Sequence, residues 1–153
     1  MGTTTGAHTS TLDIAIERWT SDAERDRLLA ALREGGNDGL LTALRKIKPR
    51  AGTIGSATTL AYPIQFARLM SLPEGGRRIL LATDRPLSFL ESSRGSSTLD
   101  YPFMLVDIRL GRDGEGEGKL LPLARLRLDP DHVVEVENYN MEPLRLTQVK
   151  KVD

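Results

Sequence analysis

The chain has 153 residues, 39% of them hydrophobic and 27% charged, with 21 basic residues against 21 acidic ones. That is enough for one domain with a real core, and it lacks the positive excess with which a duplex-DNA binder displaces counterions from phosphates. The absence of cysteine removes disulfides, thiolate metal sites and cysteine nucleophiles together.

Residues 1–10 carry neither the basic start nor the apolar stretch of a signal peptide, and Gly6 stands where a myristoylation motif requires Ser or Thr. They read as a flexible N-terminal tail ahead of a single α+β domain over residues 11–153. No apolar run reaches the length of about 18 residues that a membrane-crossing helix needs.

Residues 11–19 alternate, with Leu12, Ile14 and Ile16 on one side and Asp13, Ala15 and Glu17 on the other, which predicts a half-buried strand. Ser21-Asp22-Ala23-Glu24 has the form of a capping box, the Ser21 hydroxyl accepting the Glu24 amide while the Glu24 carboxylate reaches back. The helix it opens runs to about Arg33 and buries Leu28, Leu29 and Leu32. Gly35 and Gly36 stop it, since glycine reaches the left-handed cap without strain. Asn37 or Asp38 then caps a second short helix with the apolar stripe Leu40, Leu41, Leu44 and Ile47, closed by Pro49.

The rest reads as strands. Leu60, Tyr62, Ile64 and Phe66 alternate with Ala61, Pro63, Gln65 and Ala67, and Pro63 calls for an edge or a bulge because it cannot donate to a ladder. After a turn over residues 71–76, residues 77–83 form a nearly continuous apolar strand. Residues 102–110 place Met104, Val106, Ile108 and Leu110 on one face. A Gly-rich hairpin loop, 111–118, leads to a strand over 119–128 that groups Leu120, Ala124, Leu126 and Leu128. Asp129-Pro130-Asp131 turns the chain into a strand over 133–136, and the last strand covers 144–149. The expected fold is α+β: a curved antiparallel sheet, in its more closed form a partial barrel, with an N-terminal helical hairpin packed on it. Without βαβ alternation a Rossmann-type fold is disfavoured.

The long polar connection after residue 83 is the best place for specific chemistry. Asp84, Arg85, Glu91, Arg94, Asp100 and Tyr101 form the candidate ligand-binding set. Arg85 or Arg94 can present a planar fork to a carboxylate or phosphate, and Asp84 or Asp100 can pair with them internally or act as a base. A salt-bridge network holding the loop accounts for the same residues. Elsewhere the signals are weaker. The acids and glycines of 113–118 mimic an EF-hand loop, but its twelfth place falls on Ala124, so a flexible hairpin tip is the simpler reading and no metal is expected. Only His8 and His132 offer imidazole, and nothing around His132 supports a zinc site or a Ser-His-Asp triad. Arg45, Lys46, Lys48 and Arg50 read as a solvated helix end rather than a phosphate site. Trp19, the single tryptophan, is either a packing anchor or a ligand platform.

The runs Ile14-Ala15-Ile16-Glu17-Arg18-Trp19, Asp22-Ala23-Glu24-Arg25, Ala82-Thr83-Asp84-Arg85-Pro86 and Asp100-Tyr101-Pro102-Phe103 resemble, in order and spacing, a group of uncharacterised bacterial proteins that commonly begin with a secretion signal. The resemblance implies export to the periplasm or beyond the cell, and it supplies no activity and no site residues. This sequence lacks that leading segment, which leaves a cytoplasmic placement open. The expectation is therefore a non-enzymatic ligand-binding or accessory domain of the bacterial envelope, with no cofactor and no nucleic acid. It would take a small apolar or amphiphilic ligand near the 84–101 connection. The alternatives are a hydrolase using Asp84 or Asp100, and a structural partner using an exposed edge strand near Tyr62 to Phe66.

Overall fold

A computed structural model describes residues 2–5, 10–56, 59–84, 103–128, 130–131, 134–138 and 144–150. In chain order the elements are β1 (Gly2–Thr5), β2 (Ser10–Ile16), α1 (Asp22–Arg45), β3 (Gly52–Ser56), β4 (Thr59–Ile64) and β5 (Phe66–Ser71). They continue with β6 (Arg77–Asp84), β7 (Phe103–Leu110), β8 (Glu115–Leu128), β9 (Val134–Asn138) and β10 (Leu144–Lys150). The strands form one antiparallel sheet in the order β4-β3-β2-β1-β10-β8-β7-β6-β5, with β9 beside β8, so the fold is α+β. Residues 2–5, which the sequence placed in a loose tail, are β1. Their threonines suit a pleated strand, and β2 and β10 pair with them on either side.

Two buried clusters lie on opposite faces. The larger draws Ile14, Ile54, Ile64, Ala67, Ile79 and Val106, among others, from strands at both ends of the path. The smaller sits under α1, where Leu28, Leu32, Leu40 and Leu44 meet Phe103. Strand β7 serves both by its period of two: Met104, Val106, Ile108 and Leu110 are buried in the larger cluster, while Phe103 and Leu105 turn to the helix.

The end strands β4 and β5 are consecutive in sequence, with Gln65 alone between them. No ladder joins them, so the sheet is open among the described residues. The break at Gln65 corrects the single alternating strand read over residues 60–67: Tyr62 and Ile64 face the larger cluster, but Phe66 faces the helix and Ala67 the larger cluster. Pro63 lies on β4, whose one ladder is to β3, consistent with an edge position.

A second correction concerns β8. Leu120 packs in the larger cluster, but Leu126 and Leu128 pack under the helix. The register slips by one residue between Leu105↔Leu121 and Phe103↔Ala124, a bulge that spans Pro122 and turns the alternation over. A bulge in β10 has a similar effect. Leu146 and Val149 are three positions apart yet both fully buried, because the register shifts between them and Gln148 takes φ 55°.

The capping box of α1 is present as read: Glu24 N donates to Ser21 Oγ at 3.1 Å, and Ser21 N to Glu24 Oε1 at 3.0 Å. Two helical segments meet within α1 at Gly36, whose φ of 63° and ψ of −153° are non-helical, at the place where the sequence set a stop between two helices. Asn37 caps nothing. Its amide donates to Leu126 O at 3.0 Å and accepts from Leu126 N at 2.8 Å, pairing with β8 just past the point where the β7 ladder ends at Ala124.

Candidate functional site

Of the sequence-nominated residues, Asp84 is described, at the end of β6; Arg85, Glu91, Arg94, Asp100 and Tyr101 lie outside the described residues. Asp84 is held by the fold on all sides. Its Oδ2 accepts from Arg45 Nε at 3.2 Å, and its Oδ1 from Tyr62 Oη at 3.3 Å and Gln65 Nε2 at 3.2 Å. Its backbone N–H donates to Gln65 Oε1 at 3.2 Å. The neighbouring Thr83 hydroxyl, with one proton to give, is nearest Pro63 O at 2.8 Å. Asp84 thus ties the last turn of α1 to the bend between β4 and β5. Its cation is Arg45, from the helix end read as a solvated basic group. Tyr62 and Gln65 lie on and beside β4, the end strand that the interaction reading used.

The interior behind this end is filled. Ile54, Ile64, Leu81, Thr83, Met104 and Val106 line it, each no more than 6% exposed. Among the described residues no group of three or more His, Asp or Glu side chains is placed to hold a metal ion. At the 111–118 tip, Asp113 Oδ1 accepts from Glu115 N at 3.0 Å, a local Asx turn, and Glu115 already begins β8.

The opposite end of β6 is different. Arg77 lies seven residues from Asp84, about 23 Å away at a rise of about 3.3 Å per residue. There a cleft of about 450 Å³ is floored by Ile14, Ile79 and Leu110 and rimmed by Trp19, Leu69 and Arg77. The floor is the edge of the larger buried cluster. Trp19 and Leu69 are 42% and 39% exposed, unusual values for large apolar side chains that share one cleft. Leu69 opposes Ile79, and Arg77 opposes Leu110, so all of them stand on one face of the sheet.

Backbone bonds on both sides hold Trp19 in place. Glu17 N and Arg18 N donate to Ala51 O at 2.7 and 3.1 Å. Thr20, 2% exposed, acts as a one-residue strand: its N–H donates to Ala67 O at 2.8 Å, its hydroxyl accepts from Ala67 N at 2.9 Å, and its carbonyl accepts from Arg68 Nη1 at 2.8 Å. Trp19, fixed between them, projects its ring into the rim.

The charges of this cleft are committed, with one exception. Arg18 donates to both Glu24 oxygens, at 2.8 and 3.0 Å, and to Pro49 O at 2.9 Å. Those bonds, with the Ser21 backbone N–H, hold the Glu24 carboxyl down at about 2. Arg50 donates to both oxygens of Glu17 and lowers its carboxyl as well. Arg77 alone among the cations lining the cleft has no hydrogen-bond or ion-pair partner among the described residues. In sequence Arg77 is only the polar start of a strand, and Trp19 is open between a packing anchor and a ligand platform. Their proximity depends on β2 and β6 being brought together, which no local pattern encodes.

A second cleft, of about 580 Å³, runs between the Gly36 kink and the outer part of β8. Its arginines on β8 are paired: Arg125 Nε with Glu137 at 2.7 Å and Arg127 with Glu135 at 2.5 Å. No protein-family model, curated protein or solved structure matches the chain. Among the described residues no helix is long and apolar enough to cross a membrane.

Proposed function

We propose that this protein is a non-enzymatic binding domain for a small amphiphilic ligand, an accessory domain of the bacterial envelope in keeping with the resemblance above. The ligand sits in the Trp19 cleft and not at the 84–101 connection. The observation that carries the reading is Arg77, the one cation lining the cleft without a partner among the described residues, beside the exposed side chains of Trp19 and Leu69 over an apolar floor. Ligand sites are largely apolar with a few polar groups that fix orientation, and this cleft has that composition.

In this reading the sheet curves around the larger cluster. Support comes from that cluster's members at both ends of the strand path and from the covalent adjacency of β4 and β5. The cleft is then the open mouth of the curve, and the Asp84 knot is its closed end. A hydrolase acting through Asp84 finds less support, because its carboxylate already accepts from Arg45, Tyr62 and Gln65.

Trp19 is the only tryptophan and reports on its own site. Titration with octanoate should shift its emission to shorter wavelength saturably, as the ligand covers an indole that is 42% exposed. Arg77→Gln should weaken binding about fivefold, the upper range for an exposed ion pair. A titration without saturation, or one unaffected by Arg77→Gln, would remove the reading.

A further inference from the structure

We infer that the Trp19 cleft is built for a monoanionic carboxylate with a short apolar body, and not for a long-chain lipid; this rests on the binding reading above. Two observations set the class. The first is charge. Glu17, Arg18 and Glu24 neutralise one another or Arg50, so the cleft offers one net positive group, Arg77. A second free cation, which a phosphate dianion would need, does not line the cleft among the described residues. The Trp19 indole N–H also has no acceptor among the described residues, which leaves a second donor in the cleft.

The second observation is depth. The floor residues Ile14, Ile79 and Leu110 are themselves buried and belong to the larger cluster with Ile108, Leu146 and Val149, each 0% exposed, so an acyl tail meets packed side chains below the floor. Entry there would demand displacement of close-packed side chains. An apolar body therefore lies across Trp19 and Leu69, in about 450 Å³ that stays open to solvent. Methylenes beyond that shelf remain in water and contribute nothing. The cleft discriminates by length without a wall: each added methylene helps until the shelf is covered, and then the gain stops.

The test is a series of straight-chain carboxylates, from butanoate to dodecanoate below their micelle concentrations, titrated into the full chain and followed by Trp19 emission. Octanamide serves as the neutral control. Affinity should rise by about fourfold per methylene over the shortest members, as expected for buried CH₂ groups, and level off by octanoate. Octanamide should bind at least fivefold more weakly than octanoate. A rise that continues undiminished to dodecanoate would overturn the short-body inference and leave the binding site standing. Equal binding of octanamide would overturn the anion requirement. No saturable response to any member would overturn this inference together with the reading it rests on. Leu69→Asp, at an exposed position that should not disturb folding, provides a second control: it should reduce affinity for every chain length, with the denaturation midpoint unchanged.

Discussion

At the scale of single residues, two carboxylates show how differently the fold can use an acid. Asp84 gathers donors from three separate parts of the chain: Arg45, Tyr62 and Gln65. Replacing it by Ala would leave the Tyr62 hydroxyl and the Gln65 amide without their acceptor in a partly buried place. We expect a loss of about 1–3 kcal/mol in chemical denaturation. Octanoate binding at the far end of β6 should be unaffected. Glu24 instead has one dominant partner, Arg18, helped by the Ser21 backbone, and its carboxyl lies at about 2 against an ordinary 4.5. The folded value is the lower one, so the stabilisation is complete above pH 4.5 and is lost as pH falls from there toward 2. Arg18→Met should lower stability at neutral pH and flatten the acid limb of the stability profile, since less remains to be lost. An unchanged acid limb would separate Glu24 from Arg18. The capping box was legible because Ser21 and Glu24 are three positions apart, whereas Asp84 and Arg45 are 39 apart in sequence and meet only through the fold.

At the scale of elements, the strand bulges explain most of what the sequence pattern missed. Gly35-Gly36 marks the break between the two helical segments of α1, as the sequence pattern placed it. Gly36 occupies a backbone region that is almost exclusive to glycine, and nothing lies within 4 Å of where a Cβ would stand. Gly36→Ala should therefore cost about 1–3 kcal/mol through backbone strain alone. Asn37→Leu should cost a similar amount, about 1–3 kcal/mol, by unpairing both Leu126 backbone groups. Measured thermal or denaturant unfolding of the two variants checks both figures. Leu40 and Leu44, which the stripe predicted, are buried as expected. The alternation of β8 misled because one extra residue around Pro122 exchanges the faces, and a period-two pattern has no means to announce a bulge. Met104, Val106, Ile108 and Leu110 read correctly because β7 runs its whole length without one of its own.

At the scale of the molecule, the antiparallel α+β character follows from hydrophobic periodicity and turn residues, and both were visible in the sequence. The strand order was not. It places β1 between β2 and β10, joining the two termini of the chain, and that is a non-local pairing. Site location suffers most from this. The long polar connection after β6 drew attention because loops carry chemistry, yet its described anchor, Asp84, is engaged in holding helix and sheet together. The open rim formed by Trp19, Leu69 and Arg77 comes from three separated segments. The most direct test of the central claim is a map of amide and indole shifts in an assigned NMR spectrum of the full chain as octanoate is added. The account predicts that the largest shifts fall on the Trp19 indole, Leu69 and Arg77, with Tyr62, Gln65 and Asp84 undisturbed. The largest shifts at Tyr62, Gln65 and Asp84 instead, with none at Trp19, would contradict it and return the ligand to the other end of the sheet.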